Sequence, residues 1–240
     1  MAKTEIVSVI AAHPDDEILG CGGTIAGHIA KGDQVHVLIL AEGITSRDGM
    51  ADPSKCQADL SELAKAAHNA NDILGVTSLT LKNLPDNRMD SLDRLDVIKI
   101  VEAFVQENAS TFVYTHHAGD VNIDHRRIHE AVVTACRPIP GQIVSTLLFF
   151  EVASSTEWQP PVSAPVFAPN WFVDISAHLE LKLEALNAYS SEMRPWPHAR
   201  SVTALEYLAR WRGATIGVAA AEAFILGRYI HKSDSLRVCK

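Results

Sequence analysis

Cysteine is scarce in this chain. Cys21, Cys56, Cys136 and Cys239 are the four in 240 residues, scattered and without a CxxC pair. That excludes a disulfide scaffold and a cysteine-rich metal ribbon, and it fits a reduced, cytoplasmic setting in which each thiol is small apolar filler. Basic charge is also short: 21 Lys and Arg against 29 Asp and Glu give a net charge of −8. Nucleic acid needs a basic face, so DNA or RNA is excluded as the main partner, although a few local arginines can still hold an anionic group. Long apolar runs are missing. Ile143–Phe150 is among the longest, far below the roughly 18–20 residues of a membrane span. The opening Met1–Glu5 leads into a short apolar stretch with no small-residue cleavage site, so no signal peptide is expected. Repeats, low-complexity tracts and a clear linker are absent too.

What is present is ordinary globular material, 47% apolar and 21% charged. The simplest reading is a single domain over residues 1–240 with a substantial core. Ile6–Ala12 is a short β-branched run that reads as a buried strand, and Glu17–Lys31 follows as a helix stopped by Gly32. Val35–Ala41 is a second strand. Asp52-Pro53 has the form of an N-cap and first helical residue for a long helix to Leu74, before Gly75. Thr77–Leu81 is a third strand, Ser91–Glu107 a helix, Thr111–Thr115 a fourth strand and Asp124–Cys136 a helix. Ile143–Phe150 and Trp171–Ile175 read as strands around an irregular Pro-rich stretch, 159–169. From Ser176 to His231 the chain reads as largely helical, broken near Pro195 and Pro197, and from about residue 176 it is expected to help form the ligand pocket. Such alternation predicts an α/β fold, a Rossmann-like three-layer αβα sandwich with a mostly parallel sheet. Ligands of such folds bind beyond the carboxyl ends of the strands.

Two polar clusters fall at that edge. His13-Pro14-Asp15-Asp16-Glu17 leaves the first strand, and His116-His117-Ala118-Gly119-Asp120-Val121-Asn122-Ile123-Asp124-His125 leaves the fourth and enters a helix, with His129 one turn on. Either alone would pass for a solvated turn capping the next helix. Together they can converge, and His with carboxylate ligands and one open position is the recipe for a catalytic zinc site. His125 and His129 share a helix face, but no Glu follows His125, so a protease-type HExxH site is not expected and His129 reads as support or packing.

The pairing resembles the PIG-L/LmbE family of zinc-dependent N-acetylglucosaminyl de-N-acetylases. Its first motif, AHPDDE, stands at Ala12–Glu17; the second stands as Asp120-Val121-Asn122-Ile123-Asp124-His125; Arg212-Gly213-Ala214-Thr215-Ile216-Gly217 and Ala221-Glu222-Ala223-Phe224 also look like the family. The resemblance implies His13, Asp16 and His125 as ligands of one zinc ion per chain, a set that iron or another divalent ion also fits. It implies Asp15 as general base, taking a proton from the attacking water and delivering one to the leaving amine. The implied reaction removes acetyl from an N-acetylated amino sugar, free or conjugated; an amide of a thiol-conjugate pathway of mycothiol or bacillithiol type is the alternative. Many members carry His-Pro-Asp-His in the second motif, where this chain has Asn122, which can donate a hydrogen bond but cannot act as an acid. Either Asn122 serves as an oxyanion donor or one of His116, His117 and His129 takes the acid role. Asp124 is expected to orient a neighbouring side chain.

For substrate, Glu42, Ser46 and Arg47 follow the second strand, and Asp86, Arg88 and Asp90 the third; His198, Arg200 and Arg212 could hold an anionic aglycone. Within an expected helix Glu192–Arg212, Trp196 could stack on a sugar, whereas Tyr207 and Trp211 are expected in the core. The expected partner is a small N-acetylated sugar or conjugate; homo-oligomerisation is left open. A nucleotide-binding Rossmann reading fits poorly, because Ile25 replaces the third glycine after Gly20, Gly22 and Gly23, and His13–Glu17 separates the strand from them.

Overall fold

A computed structural model describes residues 4–46 and 53–231. Arg47, Asp52 and Cys239 lie outside the described residues. Strands β1 (Ile6–Ala11), β2 (Gln34–Ala41), β3 (Ser78–Leu84), β4 (Phe112–His116), β5 (Thr146–Phe150), β6 (Trp171–Asp174) and β7 (Ala221–Tyr229) form a seven-stranded sheet in the order β3-β2-β1-β4-β5-β7-β6. β1 to β5 pair in parallel, while β7 runs antiparallel between β5 and β6. The helices are α1 (Asp16–Ala30), α2 (Pro53–Leu74), α3 (Arg94–Glu107), α4 (Ile123–Ala135), α5 (Leu179–Ala188) and α6 (Val202–Ala214). One core gathers α1, α2, α5 and α6 on one face of the sheet through Ile25, Leu63, Leu186 and Leu205; the other packs Val101, Val105, Ile128 and Val132 of α3 and α4 on the opposite face. The expected αβα sandwich is what forms.

Two expectations about the carboxyl-terminal part are corrected. Residues 221–229 form β7 rather than helix, because the run is buried on both sides at Ala221–Phe224 and a short apolar run without alternation does not separate strand from helix. Gly227 allows β7 to cross Phe149, whose ring would lie 2.6 Å from an added Cβ. Residues 192–201 are turns, and α6 starts at Val202 with Ser201 capping Ala204 N. α6 packs through Leu205, Ala209 and Gly213, so Tyr207 and Trp211, two positions along from that stripe, face outward and are 57% and 65% exposed.

Gly20 and Gly23 permit close packing rather than phosphate binding: an added Cβ would collide with the Phe150 ring at the first and lie 2.7 Å from Ile175 Cδ1 at the second. Helix α1 is kinked at Cys21, and its second half is capped by a distant carboxylate. Glu222 of β7 accepts from Gly23 N at 3.0 Å and Thr24 N at 2.7 Å, while buried Lys182 of α5 donates to Glu222 at 2.6 Å and to Leu19 O at 2.9 Å. The kink is therefore braced from α5 and β7, and the first half of α1 is held with its amino end at the carboxyl edge of β1.

Candidate metal centre

Strand order reverses between β1 and β4, which opens the crevice where ligands of such sheets bind. The two loops leaving these neighbours are tied together where Ala12 N donates to His116 Nε2 at 2.8 Å. That contact makes Nε2 the acceptor of a fully buried ring, which stacks on His125 at 4.0 Å. Burial, reinforced by His125, pushes His116 well below the usual imidazole range, so it stays neutral.

Three ligand-type atoms then converge. His13 Nδ1 and His125 Nε2 each lie 3.2 Å from Asp16 Oδ2 and 3.4 Å from one another. Tetrahedral zinc bound at about 2.0–2.1 Å sets its ligand atoms about 3.3 Å apart. The residues therefore fit a divalent ion on three corners, with the fourth open to the cavity.

Carboxylates support this set from behind. His13 Nε2 donates to Asp124 Oδ2 at 3.0 Å and lies 3.2 Å from Asp86 Oδ1. Asp124 is itself fixed by Asn87 N at 2.7 Å and Met89 N at 3.0 Å. Asp120 Oδ2 lies 3.2 Å from His125 Nδ1, close enough to pair charges though at an angle poor for a hydrogen bond, and accepts from Thr156 Oγ1; Asp120 Oδ1 accepts from Ser155 Oγ. Burial alone would lower both histidines, but the surrounding carboxylates outweigh it: Asp16 and then Asp120 raise His125 to about 9, and Asp124, Asp16 and Asp86 hold His13 well above its usual range. Burial pushes Asp16 up, and the imidazoles of His125 and His13 overcome it and hold the carboxylate well below its ordinary value. The site thus stabilises positive charge at the place where the three ligand atoms meet.

Asp15 lies beside this triad in a non-glycine left-handed conformation, φ 113°. Its N–H donates to Glu17 Oε2 at 3.1 Å, and Glu17 is buried, accepting from Tyr189 Oη at 2.6 Å and Asn71 Nδ2 at 3.0 Å. Such strain costs of order 1–3 kcal/mol and persists where the surroundings over-determine it. The Asp15 carboxylate meets Arg200 Nη1 at 3.0 Å. Burial raises Asp15 well above the usual carboxylate range, Arg200 opposes this, and Asp16, Glu192 and Glu17 add to it.

A cavity of about 510 Å³ opens over the triad, walled by both motifs and by Glu192, Arg194, His198 and Arg200 of the carboxyl-terminal part. Trp158 stands on its wall, 54% exposed.

The structure places the remaining expected residues unevenly. Asn122 lines the cavity and caps α4, its Oδ1 accepting from Asp124 N at 2.8 Å, so its amide N–H groups are what it can still offer. Asp86 is on the wall but engaged with His13 and with Ser46, whose hydroxyl donates to it at 2.6 Å; these hold its carboxyl near about 2 against the upward push of burial. Arg200 is on the wall, against Asp15. Arg88 and Asp90 are exposed outside the cavity wall, and Arg212 is turned to Glu151 in a two-pronged pair at 2.9 and 2.8 Å, also outside it. His117 is held on Pro165 O at 2.9 Å and His129 on His116 O at 2.9 Å, neither lining the cavity. Asp120 belongs to the second motif but its support of His125 was not anticipated; its place three residues before the start of α4, beside a ligand on that helix, was the available signal.

The sheet thus carries at its carboxyl edge a His₂Asp cluster that could hold a metal ion, with a further carboxylate beside it, an arrangement suited to hydrolytic chemistry. The chain belongs to the PIG-L family, described as GlcNAc-PI de-N-acetylase, whose model matches residues 8–136. It is 28% identical over 195 residues to an uncharacterized deacetylase, YaiS, of Escherichia coli K12, covering 79% of this chain and 92% of that one. It is 25% identical over 268 residues to a 1D-myo-inositol 2-acetamido-2-deoxy-alpha-D-glucopyranoside deacetylase of Mycobacteroides abscessus, covering 94% and 92%. The fold alone is shared with the N,N'-diacetylchitobiose deacetylase of Pyrococcus horikoshii, TM-score 0.75 at 21% identity over 94% and 85% of the two chains.

Proposed function

We propose that this protein is a metal-dependent hydrolase, zinc being the expected ion, that removes acetyl from an N-acetylated amino sugar of the N-acetylglucosamine type, free or conjugated. The observation that carries the reading is the spacing of 3.2, 3.2 and 3.4 Å among His13 Nδ1, Asp16 Oδ2 and His125 Nε2, with a buried Asp15 alongside. An ion at that point would lower the pKa of a water to about 7 and polarise the acetyl carbonyl.

The chain's own residues supply the rest. Asp15 takes a proton from the attacking water and returns it to the amine nitrogen as the C–N bond breaks, leaving acetate and a free amine. Burial raises its proton affinity above that of an ordinary carboxylate, the direction a group that accepts a proton from water needs. Arg200 holds that carboxylate in place, and its own position is fixed by Ser154 Oγ, which accepts from Nε at 2.9 Å. Asp120 and Asp124 fix the two imidazoles, as carboxylates behind ligand histidines commonly do. Asn122 offers an amide donor. For the sugar, Ser46, Asn87 and Arg194 supply hydrogen-bonding groups on the wall and Trp158 a flat face. The inositol-linked substrate in the name of the Mycobacteroides relative favours a conjugate over the bare sugar. It also keeps the thiol-conjugate alternative within the same chemistry.

The test is the appearance of free amine when the purified protein meets N-acetylglucosamine, its β-linked dimer and an inositol-linked N-acetylglucosamine. Amine from at least one is expected; amine from none, with metal bound, contradicts the reading.

A further inference from the structure

Amide hydrolysis builds negative charge on the acetyl oxygen, and a water-excluded site needs fixed donors aimed at it. In this chain the second motif presents Asn122 where a histidine is common in the family, and Asn122 spends its carbonyl oxygen on the cap of α4. The other histidines around the motif are committed elsewhere. His116 is buried behind His125 with Nε2 accepting from Ala12, His117 is tied to Pro165 and His129 to the His116 carbonyl. Among the described residues, the histidine that lines the cavity besides the two ligands is His198.

Its ring is prepared for one role. Arg200 N donates to His198 Nδ1 at 3.0 Å, which makes Nδ1 an acceptor and leaves the proton of the neutral ring on Nε2. Trp158 packs edge-on against the ring at 5.8 Å, a second constraint on its orientation. The same short turn carries Arg200, which touches the Asp15 carboxylate, so His198 is anchored two residues from the partner of the base. His198 lines the same cavity as His13, Asp15, Asp16 and His125, so its free Nε2–H belongs to the chamber in which the acetyl group would be seated.

We infer that His198 is a catalytic residue, its Nε2–H donating a hydrogen bond to the oxyanion that forms from the acetyl carbonyl, alongside the Asn122 amide. No proton is transferred by it; Asp15 carries the proton from water to amine. The inference rests on the deacetylase reading above.

The test compares wild type, His198→Ala and His198→Gln, each loaded with zinc, on whichever N-acetyl sugar the wild type turns over, and measures binding of a tetrahedral phosphonamide analogue of the same acetamide by calorimetry. Removing one oxyanion donor lowers kcat roughly 10²–10³-fold. His198→Ala is expected to show that fall with KM within about twofold, and a similar loss of analogue affinity. His198→Gln, which keeps an N–H, recovers part of both. A His198→Ala enzyme with wild-type kcat and analogue affinity, or one whose loss falls in KM alone, overturns the inference. Failure of the wild type on every N-acetyl sugar counts against the deacetylase reading instead; the analogue still tests His198 there, and equal affinity in wild type and His198→Ala overturns it.

Discussion

Arg200 and Asp15 come from opposite ends of the chain and meet at 3.0 Å on the wall of the cavity over the His13–Asp16–His125 cluster. Asp15 is held by its strained backbone from one side and by this guanidinium from the other. On the proposed reading the arginine orients the base's carboxylate instead of holding a distant part of the substrate. Asp15→Asn is expected to lower kcat by roughly 10²–10⁴-fold with zinc content unchanged, the scale of a lost acid–base group. Arg200→Ala is expected to lower kcat less, and Arg200→Lys to recover part of it. Steady-state kinetics with metal analysis checks this; wild-type turnover in Asp15→Asn removes it as the base.

Asp120 supports His125 from behind while Ser155 and Thr156 hold the carboxylate. Asp120→Ala leaves the ligand set intact but frees the ring. Zinc affinity is expected to fall roughly 10–100-fold, the usual effect of losing such support. Competition against a chromophoric chelator reads this directly, and unchanged affinity would show that packing alone orients His125.

Lys182 and Glu222 form a buried pair that braces the kink in α1. Removing one partner strands the other charge. Lys182→Ala is expected to destabilise the fold by about 3–5 kcal/mol, more than the lysine's packing alone explains. Urea unfolding of the metal-free protein measures it; a loss under about 1 kcal/mol would mean the brace is dispensable.

Cys136 ends α4, and burial pushes its thiol up to about 12, with Arg228 opposing and Glu102 adding. A raised folded value means the unfolded chain loses this proton first. The associated stability is whole below the unfolded pKa of about 8.5 and is lost as pH climbs towards 12. Cys136→Ala should therefore unfold less steeply with rising alkali than wild type. Parallel pH profiles would contradict the assignment.

The sheet and the first five strands were legible because their runs are short, β-branched and bounded by turn residues, and because AHPDDE sits directly after one of them. The site's two loops could be placed at one sheet edge on topology alone. Other features were hidden for physical reasons. β7 lacks alternation since it is covered on both faces, so Ala221–Phe224 carries no period. Glu222 caps a helix some two hundred residues earlier, a relation no local pattern encodes. Arg200 and Arg212 look alike in sequence; one lines the cavity and meets Asp15, while the other, in the last turn of α6, pairs with Glu151 outside the cavity wall. Tyr207 and Trp211 were misjudged because aromatic area suggests core, whereas the small residues Ala209 and Gly213 let α6 pack closely on its other face.

The most direct test is acetate release from an N-acetylglucosamine conjugate by chelated protein to which zinc is added back, with His13→Ala alongside. Release that is absent after chelation, returns in step with zinc up to one ion per chain, and never returns in His13→Ala is the predicted result. Release that persists without metal, or that His13→Ala supports as well as wild type, would contradict the assignment of His13, Asp16 and His125 as the centre of this protein's chemistry.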